Sequence, residues 1–324
     1  MKETILSGIR PTGKLHLGNY LGSLSNFVKL QKDFDGYFFI ADLHSLNEPF
    51  EAKEKYRQIL DLTKDYLAAG LDPKKCVIFA QSHLPEHSEL AIILQNVVPV
   101  SFLYRMTQFK EKSTDRANEK VNAGLLFYPI LMAADILAYK AAKVPVGADQ
   151  TQHVELARDI AGFFNNRFGR TFPEPKPLFT ETPKIMSLLE PEKKMAKTLG
   201  ENHCLYLDDE PEVIRQKIAK AQTDTGGGQS QGAKNLLDLV KIFSAENVYQ
   251  KFLADSQKNR LKYSELKQKL AEDIIEYFAG FRQKKKKISD AAAEKILAAG
   301  AKKAKIVAAK TLAEVRKKIG LDKA

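Results

Sequence analysis

Ser7-Gly8-Ile9-Arg10-Pro11-Thr12-Gly13-Lys14-Leu15-His16-Leu17-Gly18-Asn19-Tyr20 decides how the rest of the chain is read. A short strand, Glu3 to Leu6, precedes it, and an apolar helical pattern starts near Tyr20. Gly8, Gly13 and Gly18 free the backbone for positive φ or for close approach to a ligand. Pro11 presets a turn. His16 and Asn19 stand three apart, so one helical turn presents imidazole and amide on the same side. A glycine-punctuated strand-to-helix turn places free N–H groups and the positive helix end where a phosphate can sit. A loop with a surface histidine fits the same residues, so glycine spacing alone does not decide the chemistry.

Outward from this turn, the pattern is strand, helix, strand, helix. Gly36 to Leu43 (GYFFIADL) is a buried parallel strand that delivers Asp42, Leu43 and His44 to a crevice at its carboxyl end. Glu51 to Gly70 has helical spacing and stops at a glycine cap. Cys76 to Ala80 is another short buried strand, followed by Gln81-Ser82-His83. This alternation predicts an α/β fold, a doubly wound parallel sheet. Glu86 to Arg105 is helical and apolar, broken at Pro99, and Met106 to Lys120 reads as an exposed, mobile charged loop. Gly124 to Tyr139 (GLLFYPILMAADILAY) predicts a helix buried on nearly all sides, with Asp135 inside it. A buried carboxylate needs a partner, which the protein or a ligand can supply.

Lys143 to Gln150 (KVPVGADQ) is a further strand and turn, in which Asp149 fits a helix N-cap. Gln152 to Phe168 is an amphipathic helix, and Thr171 to Lys184, with prolines at 173, 175, 177 and 183, reads as an extended connection. The loop Lys193-Lys194-Met195-Ala196-Lys197-Thr198 sets paired lysines beside a hydroxyl, a composition that suits β- and γ-phosphates. Thr223 to Lys234 is a glycine-rich loop, and Asn235 to Lys323 is nearly all helical.

The 324 residues are 44% hydrophobic, with mean hydropathy −0.32 and no apolar run long enough to span a bilayer. Only Cys76 and Cys204 occur, which excludes a disulfide framework and fits a reducing cytoplasm. The net charge of +11 favours an acidic partner such as RNA. Basic residues crowd the last third, from Arg282-Gln283-Lys284-Lys285-Lys286-Lys287 through Lys318, and phosphate contacts or a solvated helix face both account for them.

SGIRPTGKLHLGNYLG resembles the nucleotide-binding signature of class I aminoacyl-tRNA synthetases, in the form used by the bacterial tryptophanyl-tRNA synthetases, whose H-x-G-H ends in Asn as at Asn19. YPILMAADIL with VPVGADQ resembles that family's amino-acid pocket and ribose turn, and KMAKT stands where its K-M-S-K-S loop belongs. The resemblance runs from Ser7 to about Ile319. It implies a Rossmann-like catalytic domain over 1–186, with a helical insertion at about 86–140. A mostly helical, anticodon-binding domain over 187–324 would carry the K-M-S-K-S-like loop at its start.

The same resemblance assigns Arg10, Pro11, Thr12, Gly18, Asn19, Gly147, Ala148, Asp149, Ile185, Lys194, Met195, Ala196, Lys197 and Thr198 to ATP. His16, Asn19, Lys112, Lys194 and Lys197 would be catalytic, with Lys110 as second to Lys112 and Mg²⁺ accompanying the nucleotide. Asp135 would accept the indole N–H of tryptophan, with Met132 against the ring, Tyr128 and Gln150 at the head group, and Leu6 and His44 completing the pocket. Leu6 departs from the aromatic residue often found there, and Ala196 lacks the loop serine's hydroxyl. The implied partners are L-tryptophan, ATP, tRNA(Trp) and a second copy of the chain, in the cytoplasm and away from membranes. Tyrosyl activation and a non-catalytic RNA-binding relative are the alternatives. The Met132-Ala133-Ala134-Asp135 run speaks against the first, and the intact Lys194 and Lys197 against the second.

Overall fold

Short aromatic and β-branched runs between amphipathic helices bury both faces only as parallel strands under helical cover. A computed structural model describes residues 2–114, 122–147, 150–180, 183–224 and 228–323, and has this arrangement. Its strands are β1 (Thr4–Ile9), β2 (Asp35–Ile40), β3 (Val77–Ala80), β4 (Lys143–Val146) and β5 (Lys176–Phe179). Its first helices are α1 (Leu17–Asn19), α2 (Ser25–Leu30), α3 (Ala52–Ala69), α4 (Pro85–Leu94), α5 (Val100–Tyr104), α6 (Thr107–Thr114), α7 (Ala123–Ala138) and α8 (Thr151–Phe168). The later ones are α9 (Pro211–Lys220), α10 (Gln231–Phe243), α11 (Glu246–Gln257), α12 (Tyr263–Tyr277), α13 (Ala279–Lys287) and α14 (Asp290–Lys318). Among the described residues, no helix is long and apolar enough to cross a membrane.

The chain forms two compact units. The first comprises Met1–Gly13, Ser25–Glu181 and Ile288–Ala324; the second comprises Lys14–Leu24 and Thr182–Lys287. These limits differ from a boundary at 186/187, because the last helix joins the first unit and the residues around His16 join the second.

In the first unit, five parallel strands lie in the order β3-β2-β1-β4-β5. The β1–β2 register runs from Thr4 opposite Asp35 to Ile9 opposite Ile40. The winding reverses between β1 and β4, and a doubly wound sheet opens its ligand crevice outside the carboxyl ends of the strands at that point. Ile5, Phe38, Ile40 and Phe79 are completely buried in the layer. The helix α3 closes at Gly70 in the left-handed conformation (φ 112°), the cap expected from the sequence.

The fifth strand is a correction. The proline-rich segment was expected to be a plain connection, yet Lys176–Phe179 pairs with β4, Pro177 opposite Val144. A proline is tolerated there because β5 has a neighbour on one side only and its missing N–H costs no second ladder. The helix α6 is a second correction, since the first part of the expected charged loop is helical, while residues 115–121 lie outside the described residues. In α7, burial is complete only from Ala133 onward, and Phe127 is exposed.

The alanine-rich α14 packs on β3. A Cβ at Gly300 would overlap the Ile78 carbonyl, so this helix approaches the strand backbone directly. Ala304, Ala308, Leu312 and Val315 enter the same apolar core as Ala133, Ala134 and Leu137 of α7. Its cations are partly tied down: Lys305 faces Glu86 at 3.7 Å, Arg316 pairs with Asp322 at 2.8 Å, and Lys318 donates to the Arg170 carbonyl at 2.6 Å.

The second unit is built on α9 to α13, with Ile214, Ile218, Leu236, Val240, Leu266, Leu270 and Ile274 buried. It holds a buried ion pair, Lys217–Asp209 at 2.8 Å, beneath the ring of Tyr206. The run from Arg282 to Lys287 is partly consumed inside this unit: Arg282 donates to the Ile275 carbonyl, Lys285 pairs with Asp208 at 2.9 Å, and Lys286 with Glu210 at 2.8 Å. Lys284 and Lys287 remain exposed.

Candidate active site

The carboxyl ends of β2 and β3 carry His44 and Gln81, and both reach Asp135 on α7. Asp135 has no exposed surface, and both oxygens of its carboxylate accept hydrogen bonds from the protein. Gln81 Nε2 donates to Oδ1 at 2.8 Å and to Oδ2 at 2.9 Å. His87 Nδ1 donates to Oδ1 at 2.6 Å, and His44 Nε2 donates to Oδ2 at 2.7 Å. Burial pushes the Asp135 pKa up, but the hydrogen bonds from His44 and His87 outweigh it and hold the carboxyl below its ordinary range. The result is a buried, ionised carboxylate with two donors on each oxygen. The protein supplies the partners that the sequence left open to protein or ligand. His44 is 8% exposed whereas Gln81 and His87 are sealed, so His44 is the donor a ligand can approach.

Around this carboxylate, Leu6 is buried in β1, and Met132, one turn before Asp135, packs against the same core. The Tyr128 ring lies 6.5 Å from that of His44, edge to face. Tyr128 donates to Gln108 Oε1 at 3.0 Å and accepts from His153 Nε2 at 2.7 Å, and burial raises its pKa to about 12. Thr107 is held by Gln152 Oε1 at 2.9 Å, so α6, which includes Lys112, is anchored at its start to α8. The Lys112 side chain lies outside the described residues, as do Ala148 and Asp149. Arg10 pairs with Glu48 at 2.9 Å on the surface, Pro11 is buried, and Gly147 and Gln150 are half-buried.

The second unit brings together the histidine turn and the lysine loop. His16 caps α1: its Nδ1 accepts from the Gly18 N–H at 3.1 Å, while Asn19 Oδ1 accepts from the His16 N–H at 3.3 Å. A Cβ on Gly18 would sit 3.0 Å from the His16 ring, which explains glycine at that position. The turn is pinned to the next segment by Leu17 N–H to the Leu205 carbonyl and Leu207 N–H to the Leu15 carbonyl. Asn19 therefore serves the turn itself.

The lysine loop is a hairpin. Met195 N–H donates to the Ile185 carbonyl at 2.9 Å and Ser187 N–H to the Lys193 carbonyl at 2.8 Å. Ile185 and Met195 are buried, while Lys194 and Thr198 are exposed and Ala196 and Lys197 half-buried. Behind it, Ser187 Oγ meets His203 Nδ1 at 2.9 Å. Burial, then the charges of Lys197 and Lys194, push the His16 pKa down to about 4, so this imidazole is neutral at pH 7. The histidine and both lysines thus share one electrostatic environment.

Gln81, His87 and Tyr139 were not singled out from the sequence. Gln81 had a signal, as the first polar residue past a buried strand; His87 had only its polarity within an apolar helical run.

A family model described as tRNA synthetases class I (W and Y) matches residues 2–279, and the chain belongs to that family. Within it, the chain is 43% identical to the tryptophan–tRNA ligase of Caldanaerobacter subterraneus subsp. tengcongensis, over 98% of each protein. It superposes on the crystal structure of tryptophanyl-tRNA synthetase from Mycoplasma pneumoniae with TM-score 0.87 and 35% identity, covering 99% of both chains. The Campylobacter jejuni tryptophanyl-tRNA synthetase complexed with ADP and tryptophan matches with TM-score 0.87 and 30% identity, over 98% of this chain and 99% of that one.

Proposed function

We infer that the chain activates L-tryptophan with ATP and transfers it to tRNA(Trp). In the first step a carboxylate oxygen of tryptophan bonds to the α-phosphorus of ATP, and the bond from that phosphorus to the β-phosphate oxygen breaks, releasing pyrophosphate. A ribose hydroxyl of the terminal adenosine of tRNA then takes the acyl group and AMP leaves. The substrate brings its own nucleophile, so the protein contributes positioning and charge neutralisation.

The observation that carries the amino-acid assignment is Asp135, buried and ionised at the carboxyl ends of β2 and β3. An indole N–H approaching from the side of His44 meets Oδ2, while Met132 and Leu6 line the apolar slot. Phenylalanine has no ring N–H and forgoes that charge-assisted hydrogen bond, worth about 1.5–3 kcal/mol. Tyr128, His44 and Gln150 serve the head group and the mouth of the pocket.

For the nucleotide, His16, Gly18, Asn19, Ile185, Met195, Ala196 and Thr198 shape the phosphate and adenosine contacts, with Arg10, Pro11, Thr12, Gly147, Ala148 and Asp149. Lys194, Lys197 and Lys112 neutralise the charge that develops on pyrophosphate. Among the described residues no three His, Cys, Asp or Glu side chains converge as metal ligands. Mg²⁺ would accompany the nucleotide phosphates, as part of the substrate.

A second copy of the chain is the natural cover for Ile92, Val100, Tyr104 and Phe127, large apolar side chains exposed on α4, α5 and α7. The helices α9 to α13, with Lys284 and Lys287 exposed, are the candidate anticodon surface. Buried free thiols at Cys76 and Cys204 suit the cytoplasm.

The test is amino-acid-dependent ATP–pyrophosphate exchange with tryptophan and tyrosine side by side, repeated on Asp135→Ala. Exchange with tryptophan alone, falling at least ~100-fold in kcat/KM in the variant, is expected for a buried acceptor that the substrate needs. Exchange with tyrosine overturns the substrate. No exchange from folded protein with either overturns the enzyme in favour of a binding protein.

A further inference from the structure

The carboxylate of Asp135 is held from behind by two residues that lie beyond the pocket. His87 has no exposed surface, and Tyr139 only 3%. His87 Nδ1 lies 2.6 Å from Asp135 Oδ1, and His87 Nε2 lies 2.8 Å from the Tyr139 hydroxyl. A neutral imidazole has one donor and one acceptor. Because Oδ1 of an ionised carboxylate only accepts, Nδ1 carries the proton, and Nε2 is left to accept from Tyr139. The other tautomer would aim a lone pair at the carboxylate and leave the tyrosine proton without an acceptor. The ring is also fenced by Phe39, Phe79 and Tyr139, at centroid distances of 6.4, 5.9 and 5.5 Å, which bar a turn to a different orientation.

Gln81 cannot do this alone. Its single Nε2 donates to both oxygens, so the carboxylate can pivot about that nitrogen. His44 also holds Oδ2, but it stands at the partly open side, where a ligand competes with it. His87 holds Oδ1 from the sealed side, so the carboxylate keeps its orientation when a ligand approaches Oδ2 from the side of His44.

We propose that His87, kept in one tautomer by Tyr139, is a positioning residue that orients Asp135 toward the indole N–H and so sets the preference for an amino acid carrying a ring N–H. The proposal rests on the tryptophan-activating reading above. It concerns binding of the ring rather than the chemistry at phosphorus, so its effect falls on KM for tryptophan.

The experiment compares ATP–pyrophosphate exchange with tryptophan and with β-(1-benzothiophen-3-yl)alanine, in which sulfur replaces the ring N–H with little change of shape. The proteins are the unaltered chain, His87→Leu, His87→Asn and Tyr139→Phe. His87→Leu is expected to raise KM for tryptophan about 10-fold with kcat changed less than about threefold, and to leave KM for the sulfur analogue within about twofold. The asparagine amide can still donate to Oδ1, so His87→Asn recovers most of the preference. Tyr139→Phe loosens the tautomer and lowers the tryptophan-over-analogue preference about threefold.

Equal rises in KM for both amino acids, or no recovery in His87→Asn, would show that His87 merely fills space and overturn the proposal. If His87→Leu does not fold, an unchanged preference in Tyr139→Phe overturns it instead. Failure of the tryptophan reading shows separately, as an unaltered chain without tryptophan-dependent exchange or without any preference for tryptophan over the analogue.

Discussion

Asp135 and the Lys194–Lys197 loop are both charged centres, and they are built in opposite ways. Asp135 is sealed in the first unit, with two donors on each oxygen supplied by residues of three different segments. The lysine loop in the second unit is a hairpin whose apolar Ile185 and Met195 are buried and whose Lys194 points to water. The difference follows from the role proposed for each. A group that tests for one N–H has to be fixed before the ligand arrives, because discrimination depends on what an unsatisfied partner costs in a dry site. A group that meets the charge developing on pyrophosphate must stay charged and reachable, and an exposed lysine such as Lys194 is both.

The contrast is broken most forcefully by removing its buried half. Asp135→Ala strands His44, Gln81 and His87 without their common acceptor, and is expected to destabilise the first unit by roughly 3 kcal/mol in urea unfolding. Stability within about 0.5 kcal/mol of the unaltered protein would mean that the pocket relaxes freely and is not preorganised. Lys194→Ala is the complementary case. It should slow adenylate formation about 100-fold in single-turnover measurements, with tryptophan affinity and unfolding midpoint nearly unchanged, because an exposed lysine contributes little to folding. Equal losses in tryptophan binding and in rate would remove that lysine from the phosphate role.

The smallest effect sharpens the electrostatics of the second unit. An NMR titration of His16 should give a pKa near 4, well below the ordinary value of about 6.5. The folded chain then binds fewer protons than the unfolded chain between those values, so this residue's contribution to stability is intact above about pH 6.5 and is lost as the pH falls toward 4. Lys197→Ala, and separately inorganic pyrophosphate, should each move the value upward, since one removes a repelling charge and the other adds an attracting one. A titration near 6.5 that is indifferent to both would mean that the loop does not reach the histidine.

Much of this could be read along the chain. The parallel strands at Gly36 and Cys76, the cap at Gly70 and the helix from Gln152 to Phe168 are local statements, encoded in runs of apolar residues and in glycine. The histidine turn and the lysine loop were equally legible, since each is a few consecutive residues. Four readings needed correction or completion. β5 lay hidden because prolines mask a strand that an edge position permits. The start of the charged loop proved helical. Basic residues near the carboxyl end, expected as phosphate contacts or a solvated face, are partly spent on Asp208, Glu210 and Glu86. The last helix, counted by its sequence with the helical domain, packs on β3 of the sheet.

The sequence by itself determined which segments become strands and helices, which of their faces are apolar, and where the glycine-punctuated turn and the lysine loop fall, because those properties depend on neighbours within a few residues. The tertiary structure alone decided that His44, Gln81 and His87 converge on Asp135, that Tyr139 stands behind His87, and that Gly300 lets the last helix lie on Ile78. A periodic pattern specifies that a face will be buried but carries no record of which distant residue will meet it. That is set when the sheet order places the ends of β2 and β3 beside α4 and α7, and the donors around a buried charge are chosen there.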